Sequence, residues 1–183
     1  MNESQETHFG FKKITNANWQ QLDEVTKLWC KITGAAKTNE DWIKFFFQPR
    51  LNPKVPEEIA KLLEVARGAM IYGWYFKPLL TLGTEQCYRL LDTGTRMRCN
   101  QVGIDTVVTD KNGYKRDTRF KENTDALMKR GFLSNTETDK KRWDEIRDAR
   151  NTASHPQQQL GFDPGSAQGY LESVVDCLND LFR

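Results

Sequence analysis

Apolar residues recur along this chain at intervals of three and four over most of its length, the pattern of helices that each bury one face. The first run passes through Trp19, Leu22, Val25, Leu28 and Trp29 to about Ile32. Asn16 is placed to cap it and Gly34 to stop it. Thr38 or Asn39 then opens a short helix carrying Trp42, Ile43, Phe45, Phe46 and Phe47, ended by Pro49. Pro56 stands at a first helical position ahead of Ile59, Leu62, Leu63, Ala66 and Met70. A second long pattern runs from Gly73 to about Met97 through Leu79, Leu80, Gly83, Cys87, Leu90 and Leu91. Pro78 must kink or start that helix, since proline costs about 3 kcal/mol in a helix interior.

The stretch from Asn100 to Arg116 differs. Val102, Ile104, Val107 and Val108 precede Asp110-Lys111-Asn112-Gly113, and Asn-Gly after a β-branched run signals a hairpin. Helical spacing resumes from Phe120 to Met128 and stops at Gly131. Thr136, with Asp139 three residues on, resembles a capping box for a helix through Trp143 and Ile146 to about His155, where Pro156 ends it. Asp163-Pro164 opens the last helix, whose stripe is Leu171, Val174, Val175, Leu178, Leu181 and Phe182. The pattern predicts an all-α bundle of six or seven helices with one small hairpin excursion near residues 100–116.

Length and charge narrow the classes. At 183 residues with a net charge of +2 the chain fits one domain and is no bulk polycation. With 38% hydrophobic residues it is not a disordered tail. The longest apolar stretch, Ala69 to Gly83, includes Lys77 and Pro78 and falls short of the roughly 20 residues a bilayer span needs. The stretch MNESQETHFGFKK lacks an apolar core, so no secretory signal and a cytoplasmic location are expected. Cys30, Cys87, Cys99 and Cys177 are widely spaced without a C-x-x-C pair, so free thiols are expected rather than a zinc site or disulfide framework. No cofactor is expected either. Charge is uneven: Arg89 to Arg130 holds ten basic against six acidic residues, whereas Asn151 to Arg183 nets −3. Such a segment is either a solvated face or a surface that tracks a phosphate backbone.

Only one constellation carries obvious chemistry. Of the two histidines, His8 lies in the polar N-terminal arm, and His155 closes Arg147-Asp148-Ala149-Arg150-Asn151-Thr152-Ala153-Ser154-His155. At about 100° per residue, Arg147, Arg150, Asn151, Ser154 and His155 share an arc of about 140°. Ile146, Ala149 and Ala153 form the adjoining apolar stripe, so the polar arc borders the core. An imidazole with a reference pKa near 6.5 exchanges protons near neutrality, and a guanidinium fork neutralises phosphate charge. The plainer alternatives are a helix-end histidine bonding terminal carbonyls and, for Arg147, a plain surface arginine on a helix that also carries Asp144 and Asp148.

Arg150-Asn151-x-x-x-His155 resembles the R-x4-H motif of the HEPN superfamily, with its polar residue directly after the arginine. In that family the motif sits near the end of a late helix followed by one more amphipathic helix, the order read here. The resemblance covers about Ile59 to Phe182. It implies a HEPN-like helical bundle over residues 56–183, with residues 1–55 as an N-terminal helical extension. It further implies a metal-independent endoribonuclease of a toxin–antitoxin or phage-defence system, cleaving by 2′-hydroxyl attack. Arg150, His155 and Asn151 would then be catalytic, and Ser154 and Arg147 would bind substrate. Its partners would be RNA, a second copy of the chain in a homodimer, and an antitoxin or defence-system protein, with no membrane. The alternative is a non-catalytic HEPN-like module that binds a partner protein or nucleotide through the same arc.

Overall fold

The computed structural model describes residues 12–153 and 163–183. Among these residues the chain forms seven helices and one hairpin: α1 (Glu24–Thr33), α2 (Asn39–Phe47), α3 (Glu57–Tyr72), α4 (Pro78–Gln101), β1 (Val107–Thr109), β2 (Lys115–Asp117), α5 (Phe120–Lys129), α6 (Glu137–Ala153) and α7 (Pro164–Leu181). The fold is an all-α bundle, as the periodicity predicts. None of the described helices is long and apolar enough to cross a membrane.

Local chemistry explains most boundaries. Thr38 caps α2 in a reciprocal box with Asp41, Asp163 caps α7 by accepting the N–H groups of Gly165 and Ser166, and Pro78 starts α4 rather than kinking it. The hairpin pairs Val107 with Asp117 and Thr109 with Lys115. Its turn is held by the Asp110 carboxylate, which accepts from Asn112 N–H at 2.8 Å and Tyr114 N–H at 2.9 Å. Gly113 supplies the positive φ of 85° there.

The first helix departs from the sequence expectation. Asp23, not Asn16, is its cap, accepting from Val25 N–H at 3.0 Å and Thr26 N–H at 3.3 Å. Upstream, the buried Asn18 carboxamide accepts from Thr15 N–H and donates to the Lys13 carbonyl, which folds that stretch into turns. The predicted stripe is therefore split: Leu22 and Trp29 pack against the core, Trp29 with its ring 6.1 Å from Phe45, whereas Trp19, Val25, Leu28 and Ile32 are exposed and Thr26 and Cys30 are buried. Gly34 ends the helix at φ 67° as expected.

The buried core runs without a break from Cys30 in α1 to Phe182. α2 contributes Trp42, whose ring lies 5.2 Å from Phe46 and 5.3 Å from Trp74 and whose indole N–H donates to the Ile71 carbonyl. Asn179 of α7 accepts from the Asn52 N–H and donates to the Arg50 carbonyl, so the link between α2 and α3 is tied to the last helix. The four cysteines are free and buried. Burial pushes the thiols of Cys87 and Cys177 up to about 12.

α3 and α4 run antiparallel, with Leu80 against Gly73 and Gly83 against Ala66 and Met70. A Cβ at Gly83 would stand 2.9 Å from the Ala66 carbonyl oxygen and 2.6 Å from Met70 Cγ. Replacing Gly83 by alanine should therefore destabilise the fold by about 1–3 kcal/mol, despite alanine's better helix propensity. Gly68 is the control on the same helix pair, because a Cβ there meets nothing within 4 Å. Alanine at Gly68 should stabilise by about 0.5–1 kcal/mol. Urea melts of the two variants should shift in opposite directions; a common sign would show that the close approach of α3 and α4 does not set the cost.

Candidate functional site

The rotation of α6 about its axis is set by two anchors and a cap. Asp139 N–H donates to the Thr136 hydroxyl at 3.2 Å, and the Asp139 carboxylate accepts from the hydroxyls of Thr136 and Ser134. Those hydroxyl bonds hold the Asp139 carboxyl below its ordinary pKa. Trp143 and Ile146 are buried, Trp143 with its ring 5.9 Å from that of Phe120. Four to eight residues further along, Arg147, Arg150 and Asn151 emerge from the same helix beside the start of α5. Arg147 and Arg150 are half-buried and Asn151 is exposed.

All three line one cleft of about 680 Å³, together with Arg96 of α4, Arg119 and Lys121. Ser154 and His155, the other two members of the arc, lie outside the described residues, as does His8. The structure thus brings Arg147, Arg150 and Asn151 together and adds three cations that the spacing of the motif does not reveal. Arg96, Arg119 and Lys121 lie far from the motif in sequence. Their only sequence signal is the positive excess between Arg89 and Arg130, and the fold lays that segment against α6.

The cleft's electrostatics are uneven. Its carboxylates are Asp92, Glu122 and Asp125. Glu122 accepts two bonds from the Arg116 guanidinium, at 2.6 and 2.8 Å, and one from the Arg119 N–H at 2.6 Å. Those bonds pull its carboxyl down to about 2. Asp125 pairs with Lys121 at 2.9 Å, and Arg96 reaches Asp117 at 2.7 Å and Asp92 at 3.9 Å. Each carboxylate in the cleft is thus already occupied by a cation. The Arg119 side chain makes no close ion pair among the described residues, and its charge helps hold the Glu122 carboxyl down. Arg147 is held by carboxylates of its own helix, Asp144 at 2.6 Å and Asp148 at 3.1 Å.

Five cations against three carboxylates, arranged around an open cleft at one end of a helix, suit a polyanion better than a neutral ligand. No group of three or more His, Cys, Asp and Glu side chains among the described residues is arranged to hold a metal ion. Compared with known proteins, the chain matches no family model, no curated protein and no solved structure.

Proposed function

We propose that this chain is a metal-independent endoribonuclease of HEPN type, working as a homodimer in a toxin–antitoxin or phage-defence setting. The observation that carries the reading is the meeting of Arg147, Arg150 and Asn151 with Arg96, Arg119 and Lys121 in one cleft. A phosphodiester backbone is the natural occupant of such a cleft, because each cation it meets releases a counterion. In the proposed reaction His155 takes the proton of a ribose 2′-hydroxyl. The 2′-oxygen attacks the adjacent phosphorus, and Arg150 neutralises the extra charge of the phosphorane through paired N–H donors. The bond to the 5′-oxygen then breaks, and a second imidazole protonates the departing oxygen. The products are a 2′,3′-cyclic phosphate and a 5′-hydroxyl. That second imidazole comes from the partner copy, since one His155 is a poor base and acid for the same phosphate. A two-fold interface needs only one self-complementary patch to place two arcs across a groove.

The test is cleavage of single-stranded RNA in excess chelator. Cleavage should persist, the products should carry 2′,3′-cyclic ends, and a 2′-deoxy substitution at the scissile site should resist. Activity that vanished with chelator and returned with Mg²⁺ or Mn²⁺ would sink the mechanism. Light scattering over a concentration series checks the dimer: a strict monomer cleaving at full rate rules out the shared groove. One observation favours the second reading, a non-catalytic module that binds a partner protein or nucleotide. Arg147 is already engaged by Asp144 and Asp148, and RNA binding without any cleavage would establish that reading instead.

A further inference from the structure

A second cationic cavity, of about 570 Å³, lies at the other end of α6 and shares no lining residue with the cleft around Arg150. Three guanidiniums line it: Arg98 from α4, Arg142 from α6 and Arg183, which follows α7. Two carboxylates oppose them, and both are heavily used. Asp180 serves Arg142 and, at 2.8 Å, Arg183. Asp139 takes the Ser134 and Thr136 hydroxyls and stands 3.5 Å from Arg142.

Arg98 is left over. Among the described residues its guanidinium makes no ion pair and no hydrogen bond, its buried Nε meets no acceptor, and its partner is the Phe132 ring at 5.5 Å. A half-buried cation without a counter-charge is costly, and the missing partner is best supplied by an anion entering the cavity. The guanidinium fork matches the oxygens of a phosphate, which two such forks can grip from separate directions. The cavity has room for much more than a bare phosphate. Phe132 is 38% exposed at its rim and already stacks on Arg98, giving a planar platform beside the cationic end.

We propose that Arg98, Arg142, Arg183 and Phe132 form a binding site for a nucleoside monophosphate, with the phosphate among the guanidiniums and the base against Phe132. The site is independent of the nuclease reading and stands or falls without it. Phosphate binding draws on Arg98 as the unpaired donor and on Arg142 and Arg183 as donors that turn part of their fork from Asp180. Stacking of the base on Phe132 is tolerant of sequence, so purine and pyrimidine nucleotides both fit.

Titration calorimetry on the full chain with AMP, UMP, adenosine and inorganic phosphate tests the proposal. Both nucleotides should bind saturably, with affinity falling as salt rises, and adenosine and inorganic phosphate should each bind at least tenfold more weakly. Arg98→Ala should weaken nucleotide binding at least tenfold, and Phe132→Leu about tenfold while leaving inorganic phosphate unchanged. Arg98→Lys keeps the charge and stem without the fork and guards against a folding artefact; it should restore only part of the loss. Lys61→Ala, at a surface cation that lines neither cavity, should leave nucleotide affinity unchanged. Absence of saturable binding, equal affinity for inorganic phosphate and nucleotide, or an unaltered Kd in Arg98→Ala each overturns the site. A loss seen in Arg150→Ala but not in Arg98→Ala puts the nucleotide in the other cleft and overturns it as well.

Discussion

Replacing either Arg150 or His155 by alanine should reduce RNA cleavage by about a hundredfold or more while leaving the melting temperature close to wild type. The magnitude follows from the roles proposed: positioned charge stabilisation of a phosphorane and proton transfer by an imidazole are each typically worth about 10²-fold or more. The near-normal melting follows from what holds α6. Its anchors are the buried Trp143 and Ile146 and the Thr136 cap, all N-terminal to the arc. Two further measurements separate the roles. Arg150→Ala should bind RNA more weakly and with a shallower salt dependence, because a phosphate contact is gone. His155→Ala should bind RNA nearly as well as wild type and fail only in the chemical step. Arg150→Lys should rescue little, since an ammonium lacks the paired donors. If both alanine variants unfold or lose solubility, the arc is structural and the catalytic assignment falls.

How much of this was readable beforehand depends on whether the signal is local. Thr38, Pro56, Pro78, Asp163 and the Asp110–Gly113 turn act through their own neighbours, so their elements start close to where the sequence predicts, although α4 runs on past Met97 to Gln101. α1 ends at Gly34 as predicted but starts later, at the Asp23 cap, for a tertiary reason. Asp23 is a cap that is also buried against the loop between α3 and α4, where its N–H reaches the Trp74 carbonyl and the Thr26 hydroxyl reaches that of Gly73. Docking there turns Cys30 and Thr26 inward beside Trp29 and leaves Val25, Leu28 and Ile32 exposed. In the candidate site, Arg147, Arg150 and Asn151 share a helix, so their shared cleft follows from helical geometry. Arg96 and Arg119 join them only through the packing of α4 and α5 against α6. A charge count locates the segment but not its orientation.

Arg67 lies beyond helical periodicity altogether, and its removal should be the most damaging single change in the bundle. It sits at a core position of α3, only 7% exposed, where the spacing calls for an apolar side chain. Its Nε donates to the Phe46 carbonyl at 3.2 Å, one Nη to the Pro49 carbonyl and the other to Glu64 at 2.6 Å, and its guanidinium stacks on Phe47 at 5.5 Å. These are the carbonyls at and just beyond the C-terminus of α2, which has no glycine stop: Gln48 is its helical C-cap and Pro49 follows. Arg67 therefore closes α2 from a different helix. Alanine would leave two buried acceptors without partners, at about 1–3 kcal/mol each, and a void where the stem packed. A total of about 3–5 kcal/mol is expected, which for a chain of this length lowers the melting temperature by roughly 10 °C. Because α2 places Trp42 and Phe46 in the core, the loss should appear as one cooperative transition rather than a separate early melt. Glu64 is the contrasting partner: its side chain is 59% exposed, so Glu64→Ala should cost under about 1 kcal/mol. Arg67→Lys should recover only part of the stability, since one ammonium cannot serve two carbonyls and Glu64 in the fixed geometry of a fork. Calorimetry on the three variants decides it: an Arg67→Ala transition within about 1 kcal/mol of wild type would mean that water satisfies the end of α2 as well as the guanidinium does.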